Sequence, residues 1–126
     1  MPGHGTFYWN ELMTDDVEKA KAFYGDRLGW TFDVMPMSEG NYWLIRQEGV
    51  EGPVGGIMNW PAQNGMPTNY WFAYVHVDDL DDALAGVAAA GGSVLRPAWE
   101  VPGVGRIAIV KDAVGAVLGW MTPAAM

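Results

Sequence analysis

Apolar and polar positions alternate along this chain with two different periods, and the change of period marks the elements. Residues 6–13 (TFYWNELM) and 69–77 (NYWFAYVHV) are rich in aromatic and β-branched residues and run into Asp pairs, so both are predicted to be strands. A helical period follows each of them. Val17, Ala20, Tyr24 and Leu28 fall on one stripe, Asp15 and Glu18 have the spacing of a capping box, and Gly29 stops the run. A second helix is predicted to start near Asp79, to bury Leu80, Ala83, Leu84 and Val87, and to stop at Gly91-Gly92. Three short strands complete each half. In the first they are WTFDVM, YWLIRQ and VGGIMNW, with SEGN and EGVEG as turns; in the second they are SVLRP, RIAIVK and AVLGWM, with EVPGVG and DAVG as turns. The unit is β-α-β-β-β, and it occurs twice.

The two units echo each other in sequence. Residues 13–32 line up with residues 76–95, which places Asp16 on Asp79, Val17 on Leu80, Ala20 on Ala83 and Gly29 on Gly92, 63 positions apart. At the last strand VGGIMNW (54–60) matches VGAVLGW (114–120) at a shift of 60, as if one loop had lost three residues. One helix against four strands covers only one face of a sheet, so the other face must pack elsewhere or surround a cavity. The expected fold is α+β: two βαβββ repeats forming an eight-stranded cupped sheet, with helices on the outer face and a cleft inside. No linker composition divides the chain. Residues 1–126 are expected to be one domain, with repeat one at about 5–62 and repeat two at about 68–123.

Composition narrows the function classes. Half of the 126 residues are hydrophobic, and the formal net charge is −8. Such a surface repels a phosphate backbone, and no Lys/Arg cluster offsets it, so no nucleic-acid partner is expected. Cysteine is absent, which removes disulfides, thiolate metal sites and a cysteine nucleophile. No apolar run approaches the roughly 20 residues that span a bilayer. The segment MPGHGTFYWNE lacks the basic and apolar regions of a signal peptide, and a cytoplasmic location without a membrane partner is the expectation. Seven Trp and eight Met are more than one small core readily hides, so some are expected to face a pocket or the interface of a homodimer.

The segments TDDVEKAKAFYGDRLGW, YVHVDDLDDALAGVAAAGGSVLRP and GRIAIVKDAVGAVLGW together resemble the vicinal-oxygen-chelate superfamily, which includes glyoxalases, bleomycin-resistance proteins and extradiol dioxygenases. The resemblance implies the paired βαβββ fold and, in metal-dependent members, one divalent ion held by His, Glu or Gln from the first and last strands of each unit. Those positions fall on Trp9, Asn59, Phe72 and Gly119. They offer neither imidazole nor carboxylate, and a one-residue shift on the last strands brings in only Met58 or Leu118. No metal and no cofactor are therefore expected.

Strand alternation then gives the expected lining of the cleft. Trp9 carries Phe7, Glu11 and Met13 with it; Phe72 carries Tyr70, Tyr74 and His76; and Asn59, Val117, Gly119 and Met121 join them, with Trp43 and Arg106 as further candidates. The candidate ligand-binding set is Trp9, Glu11, Asn59, Phe72, Tyr74, His76, Arg106 and Met121, and no catalytic residue is assigned. Such a lining suits a flat aromatic or amphipathic small molecule. His76 is either a base tuned by Glu11 or a rim histidine bonded to water or backbone. Arg106 either clamps an anionic ligand or pairs with a nearby carboxylate. His4, Glu11 and His76 supply the donors for a non-standard metal site. The expected function is metal-independent small-molecule binding of the glyoxalase/bleomycin-resistance type. The alternative is a lyase, isomerase or dioxygenase-like enzyme using such a non-standard site or the Glu11/His76 pair. A protein-interaction module would need a large exposed apolar patch instead.

Overall fold

The computed structural model describes residues 3–37, 40–61, 68–102 and 104–124. Its elements, in chain order, are β1 (Phe7–Thr14), α1 (Val17–Leu28), β2 (Thr31–Met37), β3 (Gly40–Arg46), β4 (Gly55–Asn59), β5 (Tyr70–His76), α2 (Leu80–Ala85), β6 (Ser93–Val101), β7 (Gly105–Lys111) and β8 (Val117–Pro123). The strands form one mixed sheet in the order β2-β3-β4-β1-β5-β8-β7-β6. This is the doubled β-α-β-β-β order expected from the periodicity. Part of the predicted SEGN turn, residues 38 and 39, lies outside the described residues, as does Gly103 of EVPGVG. The chain divides into two compact units, Trp9–Phe72 and a second made of Met1–Tyr8 with Ala73–Met126.

In the first unit α1 follows from its caps and its stripe. The Asp16 carboxylate accepts a hydrogen bond from the Lys19 backbone N–H at 3.0 Å, and Gly29 ends the helix at φ 72. The cap falls one residue later than the Asp15–Glu18 spacing predicts. The Asp15 N–H is directed to the Asn69 side-chain oxygen at 3.3 Å, and that oxygen also accepts the Thr14 hydroxyl at 2.6 Å. These bonds tie the end of β1 to the start of β5. Val17, with Ala20 and Tyr24, covers Leu12, Ile45 and Ile57, and Trp30, Phe32 and Trp43 pack around them. Trp43 therefore faces the helix and not the cleft, which corrects its expected direction.

In the second unit Leu80 packs on Val77 and Ala108, flanked by Ala83, Leu84, Ala98 and Trp120. Helix α2 has only six residues and ends at Gly86; turns carry the chain on to Gly91 at φ 97. The predicted helix overran because Val87 keeps its apolar place: it is 5% exposed, although it sits in the turns beyond the helix.

The strand registers revise the internal repeat. Glu11 lies opposite Gly56 as Tyr74 lies opposite Gly119, and Met13 lies opposite Met58 as His76 lies opposite Met121. Each member of these pairs differs from its counterpart by 63, the last strand included. Gly119 therefore corresponds to Gly56 and not to Asn59, and no loop has lost three residues. Short apolar strands can be aligned in several registers, whereas the hydrogen-bonded ladder allows one. A shift of three also changes the face. Asn59 lies opposite Thr14 and shares the helix side of β4 with Ile57.

Candidate functional site

The face of the first unit that α1 leaves bare is organised around a buried carboxylate. Glu11 alternates with Leu12, so it points away from the helix, and it is only 5% exposed. The Trp9 indole N–H donates to the Tyr42 hydroxyl oxygen at 2.9 Å, and that hydroxyl donates its own proton to Glu11 Oε1 at 2.8 Å. The chain of bonds has one polarity, because an indole can only donate and an ionised carboxylate can only accept. Gly56 makes it possible. A Cβ at Gly56 would fall inside the hydroxyl end of the Tyr42 ring, so Tyr42 reaches Glu11 only across a strand position without a side chain. Met13, 6% exposed, and Phe72, 4% exposed, belong to the same unit, and Phe72 meets Tyr70 edge to face at 6.2 Å.

Both phenols feel the carboxylate. Burial raises the ionisation of Tyr42 far above the usual tyrosine range, and the Glu11 charge and its hydrogen bond add to this, while the bond from Trp9 opposes it. Burial and then the Glu11 charge raise Tyr70 as well. Above the ordinary tyrosine value of about 10, the unfolded chain releases the Tyr42 proton and the folded one keeps it, so stability falls as pH rises. Urea midpoints of the wild type are expected to drop more steeply above about pH 10 than those of Tyr42→Phe. Parallel curves would contradict this account of Tyr42.

In the second unit, Tyr74 (7% exposed) lies opposite Gly119, and His76 lies opposite Met121 (3% exposed). Tyr74, His76 and Met121 thus share a face, as alternation predicts. The His76 ring meets Tyr8 at 5.9 Å, its Nε2 lies 3.6 Å from Asp78, and its buried Nδ1 has no hydrogen-bond partner among the described residues. His4 is held nearby: its Nδ1 accepts the Asp78 backbone N–H at 3.0 Å. Arg106 lies opposite Thr122 and alternates with Ile107, which puts it on the Ala108 side with α2. There it pairs with Asp81 at 2.9 Å and, more loosely, with Glu100 at 3.9 Å. The Asp81 hydrogen bond, followed by the Asp81 charge, raises its ionisation further. The anion-clamp expectation for Arg106 and the cleft expectation for Asn59 are both corrected, and for one reason: each residue is on the helix parity of its strand.

Residues 6–43 match the bleomycin resistance protein-like N-terminal family. CFP32 of Mycobacterium tuberculosis (strain CDC 1551 / Oshkosh), which carries the name of a glyoxylase, is 40% identical over 120 residues, covering 95% of this chain and 45% of CFP32. The fold is similar to that of methylmalonyl-CoA epimerase from Mycobacterium tuberculosis, with a TM-score of 0.66 at 17% identity, over 99% of this chain and 93% of that one. These matches support the resemblance to the vicinal-oxygen-chelate superfamily. DnrV of Streptomyces peucetius, an anthracycline biosynthesis protein, is 31% identical over 86% of this chain and 43% of DnrV. The chain spans about half the length of the curated relatives it matches.

The resemblance to this superfamily raises the question of a divalent metal. The relevant face of the first unit offers an indole, thioethers, a glycine and one carboxylate engaged with Tyr42. That of the second offers a phenol, a glycine, a thioether and one imidazole. Among the described residues, no three His, Cys, Asp or Glu side chains are grouped to hold a metal ion. Neither unit by itself groups the three or more His, Cys, Asp or Glu ligands typical of a zinc or hard-cation site. Tyr42 is the residue that sequence reasoning missed. The signal was present in Gly55-Gly56, since a glycine inside a strand often marks a close approach by a neighbouring group.

Proposed function

We propose that this protein, which resembles the glyoxalase/bleomycin-resistance type, binds a flat aromatic or amphipathic small molecule, without a metal, on the sheet face built around Glu11. The observation that carries the reading is the Trp9–Tyr42–Glu11 chain of hydrogen bonds, which fixes a buried carboxylate among aromatic rings. Tyr42 spends its one proton on Glu11, so a ligand N–H or O–H would pair with the carboxylate, which has lone-pair sites for several donors. The rings would supply stacking and apolar burial. The relative DnrV supports a flat ligand, because anthracyclines are fused planar ring systems. Tyr74, His76 and Met121 share the corresponding face of the second unit, opposite its helix, and are proposed as that unit's own ligand contacts.

The competing reading is an enzyme of the lyase or isomerase kind, in which Glu11 accepts a proton from a bound substrate; the burial of the carboxylate favours it. Two measurements separate them. Protein purified without chelator or immobilised nickel is analysed for metal, and a library of planar compounds is screened by thermal shift with and without EDTA. The proposal expects substoichiometric metal and hits whose shifts EDTA leaves unchanged. About one equivalent of divalent metal per chain, with hits abolished by EDTA, would overturn it. Glu11→Gln should retain a large part of the affinity in a binding protein, and turnover of a hit that this substitution abolishes would establish the enzyme.

A further inference from the structure

The helix-bearing face of the first unit has a cavity of its own, about 460 Å³, lined by Asn10, Trp30, Ile45, Val54, Gly55 and Trp71. Asn10 alternates with Glu11 along β1, so this cavity opens on the other side of the sheet from the carboxylate. We propose that it is a second small-molecule site, which takes a flat, uncharged aromatic ring system carrying one hydrogen-bonding group. This inference does not rest on the function proposed for the Glu11 face.

Two indoles define the ligand shape. Trp30 and Trp71 stand edge to face, with centroids 6.1 Å apart and planes at 83°. Neither is free to reorient: Tyr24 stacks on Trp30 at 5.0 Å and 24°, and its hydroxyl accepts the Trp71 N–H at 3.2 Å. Both indoles line the cavity, so a planar ring entering it meets aromatic surface already in place, which favours an aromatic over an aliphatic guest. Gly55 forms part of the floor. A Cβ there would meet the Asn10 carbonyl oxygen at 2.9 Å and Ile45 Cδ1 at 3.4 Å, so the strand needs a glycine at this point of the floor. The mouth is accessible, with Trp71 42% and Val54 39% exposed. Among the described residues, no ionisable side chain lines the cavity, which argues for a neutral guest. The Asn10 side chain makes no hydrogen bond among the described residues and can both donate and accept. The volume lies within the range of small-ligand pockets.

The test is a titration of the whole chain with 2-naphthol, followed through the indole N–H resonances by proton–nitrogen NMR. Decahydro-2-naphthol, which has a similar volume without the planar rings, is the control. The Trp30 and Trp71 resonances should move saturably with 2-naphthol and hardly at all with the control. Val54→Trp fills the mouth from an exposed position and should weaken binding about tenfold or more; Trp71→Leu removes a wall and should do the same. Unmoved Trp30 and Trp71 resonances, a shift confined to Trp9, equal binding of the control, or undiminished binding by both variants would overturn the proposal. Sedimentation velocity completes it. Self-association that 2-naphthol or Trp71→Leu dissolves would make this face an interface between copies and would equally overturn the small-molecule reading.

Discussion

Gly56→Ala is expected to lower stability by about 1–3 kcal/mol and to detach Tyr42 from Glu11. The added methyl has nowhere to go: it would coincide with the Tyr42 hydroxyl and its ring carbons, and Gly56 sits between β1 and β3 in the ladder. Gly56 is not among the positive-φ glycines, so the penalty is steric and not a backbone effect. Urea denaturation measures the loss. The cause is checked by a double-mutant cycle, in which the cost of Gly56→Ala should nearly vanish in a Tyr42→Ala background. A cost that persists without the ring would show that Tyr42 is not what the methyl displaces.

The neighbouring residue predicts the largest effect on folding. Ile57 has no exposed surface, lies opposite Leu12 on one side and Trp43 on the other, and belongs to the cluster that seats α1. Ile57→Ala removes three buried carbons from the centre of that cluster and should cost about 2–5 kcal/mol, the transfer term plus the cavity left behind. Against a typical total of about 5–15 kcal/mol, that is a large share of the fold's stability. Chemical denaturation followed by far-ultraviolet circular dichroism measures it. A loss below about 1 kcal/mol would mean that the cluster collapses around the smaller residue or that α1 is not anchored there. The two substitutions are adjacent in sequence and opposite in face. Ile57→Ala should leave the ligand affinity of the folded fraction intact, whereas Gly56→Ala should reduce it.

That contrast shows where the sequence was legible. Strand existence and face were readable wherever alternation was strict, as in β1, where Leu12 faces the helix and Glu11 does not. Helix α1 was readable because a capping Asp and a left-handed glycine bracket an apolar stripe. Register was not readable. The echo between VGGIMNW and VGAVLGW fits two shifts, and only the pairing of Glu11 with Gly56 and of Tyr74 with Gly119 selects one. The wrong shift carried Asn59 onto the wrong face. Arg106 was misplaced differently: nothing within RIAIVK states which parity faces α2, and the Asp81 that settles it lies on another element. Tyr42 was hidden because its importance depends on an absent side chain across the ladder. The Trp9–Tyr42–Glu11 chain joins three residues through space, and no local pattern encodes it.

The central claim is that the Glu11 face binds the ligand, and one measurement bears on it most directly. It is a calorimetric titration of a planar thermal-shift hit into the wild type, Trp9→Ala and Asp81→Ala. Trp9 is half-buried and donates to the hydroxyl that holds Glu11, while Asp81 is exposed on α2 and paired with Arg106. The account predicts a loss of affinity of about ten- to a hundredfold for Trp9→Ala. It predicts no measurable change for Asp81→Ala. Equal affinity in all three proteins would contradict it and would place the ligand elsewhere.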